Sequence, residues 1–424
     1  MSGLFDSDTG YTTPMPSTDK QNTIANGNSN ASTAPATGRV GSIDAYRGFV
    51  MFLMMAEVLA LAAVAKKLPD SELWQWLAHH QTHVAWRGAS LHDLIQPSFS
   101  FLVGVALPFS LASRHRRGEP LWFSLLHAAW RAAILVFLGV FLRSVSRPET
   151  NYTFTDTLAQ IGLGYFPLFL IGLGPPKLQW AVLLLVLAGY WSAFAMHPLP
   201  SGGFNYAEAG VAKDWEHNAT GFEAHWNKNT NAASAFDRWF LNLFPRRQPF
   251  TNNEGGYATL SFIPTLGTML LGLIAGGWLR APTPASRKLA SMAVAGVVGL
   301  ALGYAADRFG LCPNVKRIWT PSWVLFSGGW CFLLLAAFYL VIDMAGLAAW
   351  SYPLRVVGAN SIAAYAIAHL FRGFIRGSFH THFGQDVFRV WGAAYEPFVA
   401  GVAVLTVYWL ILWWMYRRRI FLRV

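Results

Sequence analysis

Apolar residues run through this chain in long blocks separated by short polar connections. Ten such runs fall near 42–65, 91–113, 122–144, 154–173, 178–197, 259–280, 287–306, 321–343, 356–377 and 397–417. Most are close to the roughly 20 residues a helix needs to cross the hydrocarbon core of a bilayer. The pattern predicts an all-α fold, a polytopic membrane helix bundle with about ten transmembrane helices. An even number of crossings returns the chain to the side on which it starts. Residues 1–40 are rich in Ser, Thr, Asn, Gly and Pro, hold no apolar run, and are expected to be a disordered cytoplasmic tail. With no apolar core of a cleavable leader in that tail, the first run serves as the insertion signal. Residues 41–424 then form the membrane domain, and 198–258 is a lid-like, extracytoplasmic insertion within it.

Several runs are not uniformly apolar. Asp93, Gln96, Ser100 and Gly104 recur at i, i+3, i+7 and i+11, which places them on one helical face. Ionisable and amide groups at membrane depth face a bundle interior or a wet cavity. Ten residues before this stripe stands His83, in the approach His83-Val-Ala-Trp86-Arg87-Gly88. A histidine at a membrane boundary can serve as a general base when an acid fixes its tautomer, and Asp93 is the natural acid. Asp93 also reads as an N-cap for its own run. Glu57 lies deep in the first run, where it can hold an amine, accept a proton, or pair with Arg131 of the third run. Ser42 reads as the N-cap of the first run, followed by an Asp44/Arg47 pair at i, i+3. Arg47 with Arg114 and Arg116 could bind phosphates, although such arginines also act simply as topology determinants. In the ninth run, His369, Arg372 and Arg376 share a face one turn beyond Tyr365, like the wall of an outward-facing polar cavity.

Composition narrows this picture. With 54% hydrophobic and 12% charged residues the chain is no soluble domain, so the lipid bilayer is its first partner. A net charge of +11 raises nucleic-acid binding as an alternative. The basic residues, however, sit in short connections between apolar runs: Arg114, Arg116 and Arg117, then Arg280, Arg287 and Lys288, then Arg417, Arg418 and Arg419. That distribution obeys the positive-inside rule and excludes a nucleic-acid partner. It puts both termini in the cytoplasm and the His83 loop, 198–258 and 307–320 outside, with a bacterial inner membrane as the expected setting. Cys312 and Cys331 form no ligand pattern and read as buried thiols. The histidines of 198–258 lack helical zinc spacing, so no metal is expected. The Trp215, His217, Asn218, Trp226 and Asn227 region supports two readings equally, sugar recognition and a folded lid.

Four blocks carry a family resemblance. They are Ser42-Ile-Asp44-Ala-Tyr-Arg47-Gly48, His83-Val-Ala-Trp86-Arg-Gly88 with Asp93-Leu-Ile-Gln-Pro97, Lys316-Arg-Ile-Trp319-Thr320-Pro-Ser322, and Gly358-Ala-Asn360-Ser361-Ile362. In this order they resemble the heparan-α-glucosaminide N-acetyltransferase family of transmembrane acyltransferases, in its bacterial-type form. Where that family usually carries an asparagine after the first block, this chain has Val58 and Leu59, with Glu57 beside them. The resemblance implies transfer of an acetyl group from cytosolic acetyl-CoA to a glucosamine-type amine outside, with His83 at the catalytic position and Asp93 as its acid. The expected substrate-facing residues are then Glu57, Trp86, Gln96, Ser100, Lys316, Trp319, His369 and Arg372. Arg47, Arg114, Arg116, Arg131 and Asn360 are expected to face acetyl-CoA. Two other readings use the same polar cavity: a sugar or amino-sugar permease without chemistry, and O-acyl transfer to a cell-envelope glycan. A homodimer is compatible with the sequence and not required by it.

Overall fold

The computed structural model describes residues 40–145, 147–201 and 204–422. The expected tail, 1–40, lies outside these but for its last residue. Helices α1 (Gly41–Met55), α2 (Leu61–Lys67), α3 (Glu72–Gln81), α4 (Ile95–Arg116) and α5 (Leu121–Ser144) come first. Then follow α6 (Thr157–Gly172), α7 (Pro176–Ala195), α8 (Ala232–Phe240), α9 (Phe262–Arg280) and α10 (Ala285–Arg308). The chain closes with α11 (Pro321–Phe338), α12 (Tyr352–Ala359), α13 (Ser361–Leu370), α14 (Arg372–Phe383) and α15 (Glu396–Arg417). Among the described residues, eight candidate spans are long and apolar enough to cross a membrane, and α6 and α13 are shorter apolar helices. The protein is a polytopic helical membrane bundle.

Two of the expected spans are broken. The first leaves the α-helical path at Ala56–Leu59, a tight 3-10 turn, and Ala60 adopts a left-handed conformation (φ 50°) before α2 resumes. Gln81 closes the gap from α3: its Nε2 donates to Ala56 O at 2.7 Å and its Oε1 accepts from Leu61 N at 2.7 Å. The ninth run is three helices, α12, α13 and α14, with breaks at Asn360 and Phe371. His369 and Arg372 therefore sit on different helices, and the single His369/Arg372/Arg376 face expected from spacing does not exist.

α9 forms the centre of the bundle and is buried along most of its length. It lies against α4 at a distance only glycine permits. A Cβ on Gly104 would stand 1.9 Å from Met269 O, and one on Gly272 would stand 1.9 Å from Phe101 O. Close backbone approach of this kind is how helices associate where lipid removes the hydrophobic drive. Gly104 is thus a packing position, and the polar stripe that begins at Asp93 reaches a helix interface rather than a wet cavity.

Hydrogen bonds tie each end of the bundle together. At the end holding the start of α1, Asp343 accepts from Gly41 N (3.1 Å) and Ser42 N (3.2 Å), so a carboxylate meets the helix's exposed amides. Ser42, expected to cap α1, is buried inside it with an unpartnered Oγ. At the same end Asn360 donates to Ile420 O (2.9 Å) and accepts from Leu422 N (3.1 Å), holding the segment after α15. The opposite end carries the His83 loop, the 307–320 turn and the 198–258 segment. That segment is built on Trp226, which packs with Trp86, Phe194, Val315 and Ile318 in a second hydrophobic core.

Candidate functional site

Asp93 is the point on which the site is built. Its carboxylate is 1% exposed at the start of the α4 span. Oδ2 accepts from Ser90 N (3.0 Å), Ser90 Oγ (3.0 Å) and Val84 N (3.3 Å). Oδ1 lies 2.8 Å from His83 Nδ1 and 3.3 Å from Lys316 Nζ. These partners come from the chain before Asp93 and from a distant turn, so Asp93 is not the N-cap its position allowed. The bend over Val84–Ser90 is folded around a carboxylate, which holds His83 against it.

His83 is 36% exposed at its side chain, so the ring touches both the buried acid and the open end of the bundle. With Nδ1–H donating to Asp93, the Nε2 lone pair is left to accept a proton. Lys316 Nζ stands 3.0 Å from Nδ1 and 3.4 Å from Nε2, and the His92 ring lies 4.5 Å away between centroids. Lys316 is 5% exposed. Burial pushes its ammonium down to about 8, with Asp93 opposing the fall.

The turn that delivers Lys316 sends each residue to a different neighbour. Arg317 donates to Val84 O (3.1 Å) in the His83 loop and to Gly255 O (2.6 Å) in the 198–258 segment. Ile318 O accepts from Tyr190 Oη on α7 (2.9 Å). Trp319 takes a left-handed conformation (φ 51°), unusual for a bulky residue, and donates from Nε1 to Thr268 Oγ1 on α9 (3.1 Å). Thr320 caps α11. Trp319, expected at the substrate, is therefore a buried anchor that fixes where Lys316 emerges.

Trp86 is likewise an anchor, 3% exposed, donating from Nε1 to Trp226 O at 3.2 Å. Its ring also walls a cavity beneath the 198–258 segment. Several amides of that segment are spent internally. Asn227 bonds the Ala219 backbone, Asn229 holds Ala209 and Asn253, and Asn231 caps α8.

A second cavity, about 430 Å³, runs between α1, α4, α5, α6 and α13. Arg47 and Ser110 line it toward the end where α1 begins, and Thr157 and Tyr365 line it toward the His83 end. Arg131 faces it and stacks on Tyr165, 4.7 Å from the ring centroid, so it does not pair with Glu57 as one reading allowed. Arg47 lies 3.6 Å from Asp44, the pairing expected from their spacing. Tyr365 donates to Asp156 Oδ2 (2.9 Å), which also binds Arg143 (3.0 Å). Glu57 is exposed on the broken turn of the first span.

Other expected positions fall elsewhere. Arg114 is paired with Glu119 at 2.9 Å, and Arg116 is exposed; neither lines the cavity. Asn360 commits both amide atoms to the Ile420–Leu422 backbone, and Leu422 is part of the cavity wall, so Asn360 shapes the wall rather than facing into it. Gln96 is half-buried, and Ser100 is fully buried with an unpartnered Oγ. His369 is exposed, stacked on Tyr365 at 4.2 Å, and Arg372 is exposed on the next helix. Gln81, Arg317, Arg143 and Asp156 were not anticipated. Only Asp156, an acid opening an apolar run, left a signal in the sequence.

The chain is similar to two curated proteins. Heparan-alpha-glucosaminide N-acetyltransferase of Homo sapiens is 24% identical over 91% of this chain and 60% of its own length. The Mus musculus protein of the same name is 23% identical over 78% of this chain and 53% of its own length. The chain thus spans little more than half the length of the curated relatives it matches. No protein-family profile matches it.

The Asp93–Lys316 contact makes a direct prediction. Lys316→Met leaves a buried carboxylate without its cation, and breaking a buried pair costs about 3–5 kcal/mol. The melting temperature in detergent should fall clearly and recover in part in the Asp93→Asn/Lys316→Met double variant. A double variant whose loss is the sum of the two single losses would contradict the pairing.

Proposed function

We propose that this chain, distantly similar to heparan-alpha-glucosaminide N-acetyltransferases, is an integral membrane N-acetyltransferase taking its acetyl group from acetyl-CoA and its acceptor amine from a glucosamine-type sugar. One observation carries the reading: a His–Asp–Lys cluster open at one end of a membrane bundle, with a cavity lined by arginines entering from the other. The basic connections beside the start of α1 support a cytosolic position for that end, in a bacterium the inner face of the inner membrane. Acetyl-CoA would then enter past Arg47, with its narrow pantetheine arm in the cavity along Arg131 and Tyr365. The sugar would approach His83 from the opposite side.

In the transfer, the neutral sugar amine attacks the thioester carbonyl carbon. His83 Nε2 takes the proton the nitrogen loses, and Asp93 holds the ring and balances the imidazolium. Lys316, within reach of His83, is placed to stabilise the oxyanion of the tetrahedral intermediate. Collapse breaks the C–S bond, His83 returns the proton to the thiolate, and N-acetyl sugar and free CoA leave. Direct transfer accounts for the geometry without an acetyl-histidine intermediate. Glu57, on the same approach, would hold the acceptor's ammonium before it loses its proton.

Purified protein given labelled acetyl-CoA and glucosamine should release labelled N-acetyl product. His83→Ala should lose roughly two to four orders of magnitude in turnover, the usual size of a general-base contribution, while acetyl-CoA still raises the melting temperature. Sugar binding without product in the wild type would instead mark a permease.

The reading also fixes a pH limb. Lys316 stabilises the oxyanion only as the ammonium, so activity should fall as pH rises through about 8. Lys316→Arg, whose charge persists, should remove that fall. An unchanged alkaline limb in Lys316→Arg would take Lys316 out of the chemistry.

A further inference from the structure

The cavity beneath the 198–258 segment has no part in the transfer step described above. It holds about 320 Å³ and is walled by Trp86, Arg87, Asn218, Glu223 and Trp226, with Glu216 and His217 at its edge. We propose that this cavity is a second saccharide subsite, binding the sugar next to the reacting amino sugar and selecting an uncharged or amino-bearing unit over a sulfated or carboxylated one. The proposal rests on the acetyltransferase reading for the identity of the first sugar, but its own evidence lies in the cavity walls.

Their chemistry is that of sugar recognition. Two indoles, Trp86 and Trp226, supply apolar faces. Trp226 Nε1 and Asn218 Oδ1 are shielded from solvent and have no hydrogen-bond partner among the described residues. One donor and one acceptor of this kind match a hydroxyl group, which both gives and takes hydrogen bonds. Buried polar atoms left without partners are uncommon in folded proteins, and a bound ligand is one way they are satisfied.

Charge sets the selectivity. Arg87 is the only arginine or lysine on the described walls, and it is already engaged: its Nε lies 2.8 Å from Asp307 Oδ1 and its Nη1 lies 3.2 Å from Glu223 Oε1. His217 Nε2 faces Glu216 at 3.5 Å. The carboxylates thus outnumber the cations, and a sulfate or uronate would meet no free positive group. An ammonium or a neutral hydroxyl would meet acceptors.

Placement fits a neighbouring ring. Trp86 follows His83 by three residues, so the two Cα atoms are within about 11 Å of each other at full extension. Arg317 binds the loop between them to Gly255 of the covering segment. A sugar chain with its amine at His83 can therefore lay its next unit against Trp86.

Binding is measured on the full-length protein in detergent, without acetyl-CoA, by calorimetry. The probes are glucosamine, its β-1,4-linked dimer, and a sulfated glucosamine–uronate disaccharide. The dimer should bind at least about tenfold more tightly than both other probes, the gain of one added set of sugar contacts. Ala219→Trp, which fills the cavity from its wall, should abolish the dimer's advantage over the monomer, and Asn218→Leu, which adds little bulk, should reduce it. Equal binding of dimer and monomer, preference for the sulfated probe, or a full advantage retained in either folded variant would overturn the subsite. Dimer binding without acetyl product in the presence of acetyl-CoA would overturn the transfer reading while leaving the subsite standing.

Discussion

The burial of one carboxylate governs this architecture. Asp93 stands at the head of a membrane helix, where an unpaired charge is severely penalised. It is tolerated because the preceding loop turns its amides and Ser90 inward and because Lys316 arrives from more than two hundred residues away. The same contacts that make the acid tolerable also hold His83, with Nδ1 against Asp93 and Nε2 3.4 Å from Lys316 Nζ. Ion pair, loop conformation and the proposed base form one arrangement. The turn carrying Lys316 depends in its own way on the bundle, through Trp319 on α9 and Ile318 on α7.

The ends of the bundle divide the labour. At the end where α1 begins, carboxylate and amide side chains stitch helix termini to one another, as Asp343 and Asn360 do. At the other, backbone irregularity accumulates: the broken first span, the left-handed Trp319 and the break of the ninth run at Phe371. Irregular backbone at membrane depth is tolerated where it is buried in protein or lines a water-filled space. Here Gln81 satisfies the freed groups of the first break, and the turn it stabilises presents Glu57.

The sequence was informative where a single local cause dominates. Long apolar runs need helices, and an acid at the mouth of such a run needs partners, so the bundle and the His83/Asp93 relation were both legible. It was silent where the answer depends on which distant groups meet. Burial of both within apolar runs made Arg131 a candidate partner for Glu57, but Arg131 stacks on Tyr165. Periodicity continued the ninth run through Phe371 because helical spacing does not register a break that tertiary packing imposes. Ser42 has the chemistry of an N-cap, yet Asp343 reaches the same amides from another helix. Trp86, Trp319 and Asn360 were recognised as important positions, while their contacts show them to be anchors and a wall-shaping clamp.

The central claim is that donor and acceptor meet from opposite sides of one bundle. Proteoliposomes with the protein in a single known orientation test it most directly, with acetyl-CoA supplied only to the compartment facing the start of α1 and glucosamine only to the compartment facing His83. The account predicts N-acetylglucosamine in the glucosamine compartment and free CoA in the other. Product formed only when both substrates share a compartment would contradict it.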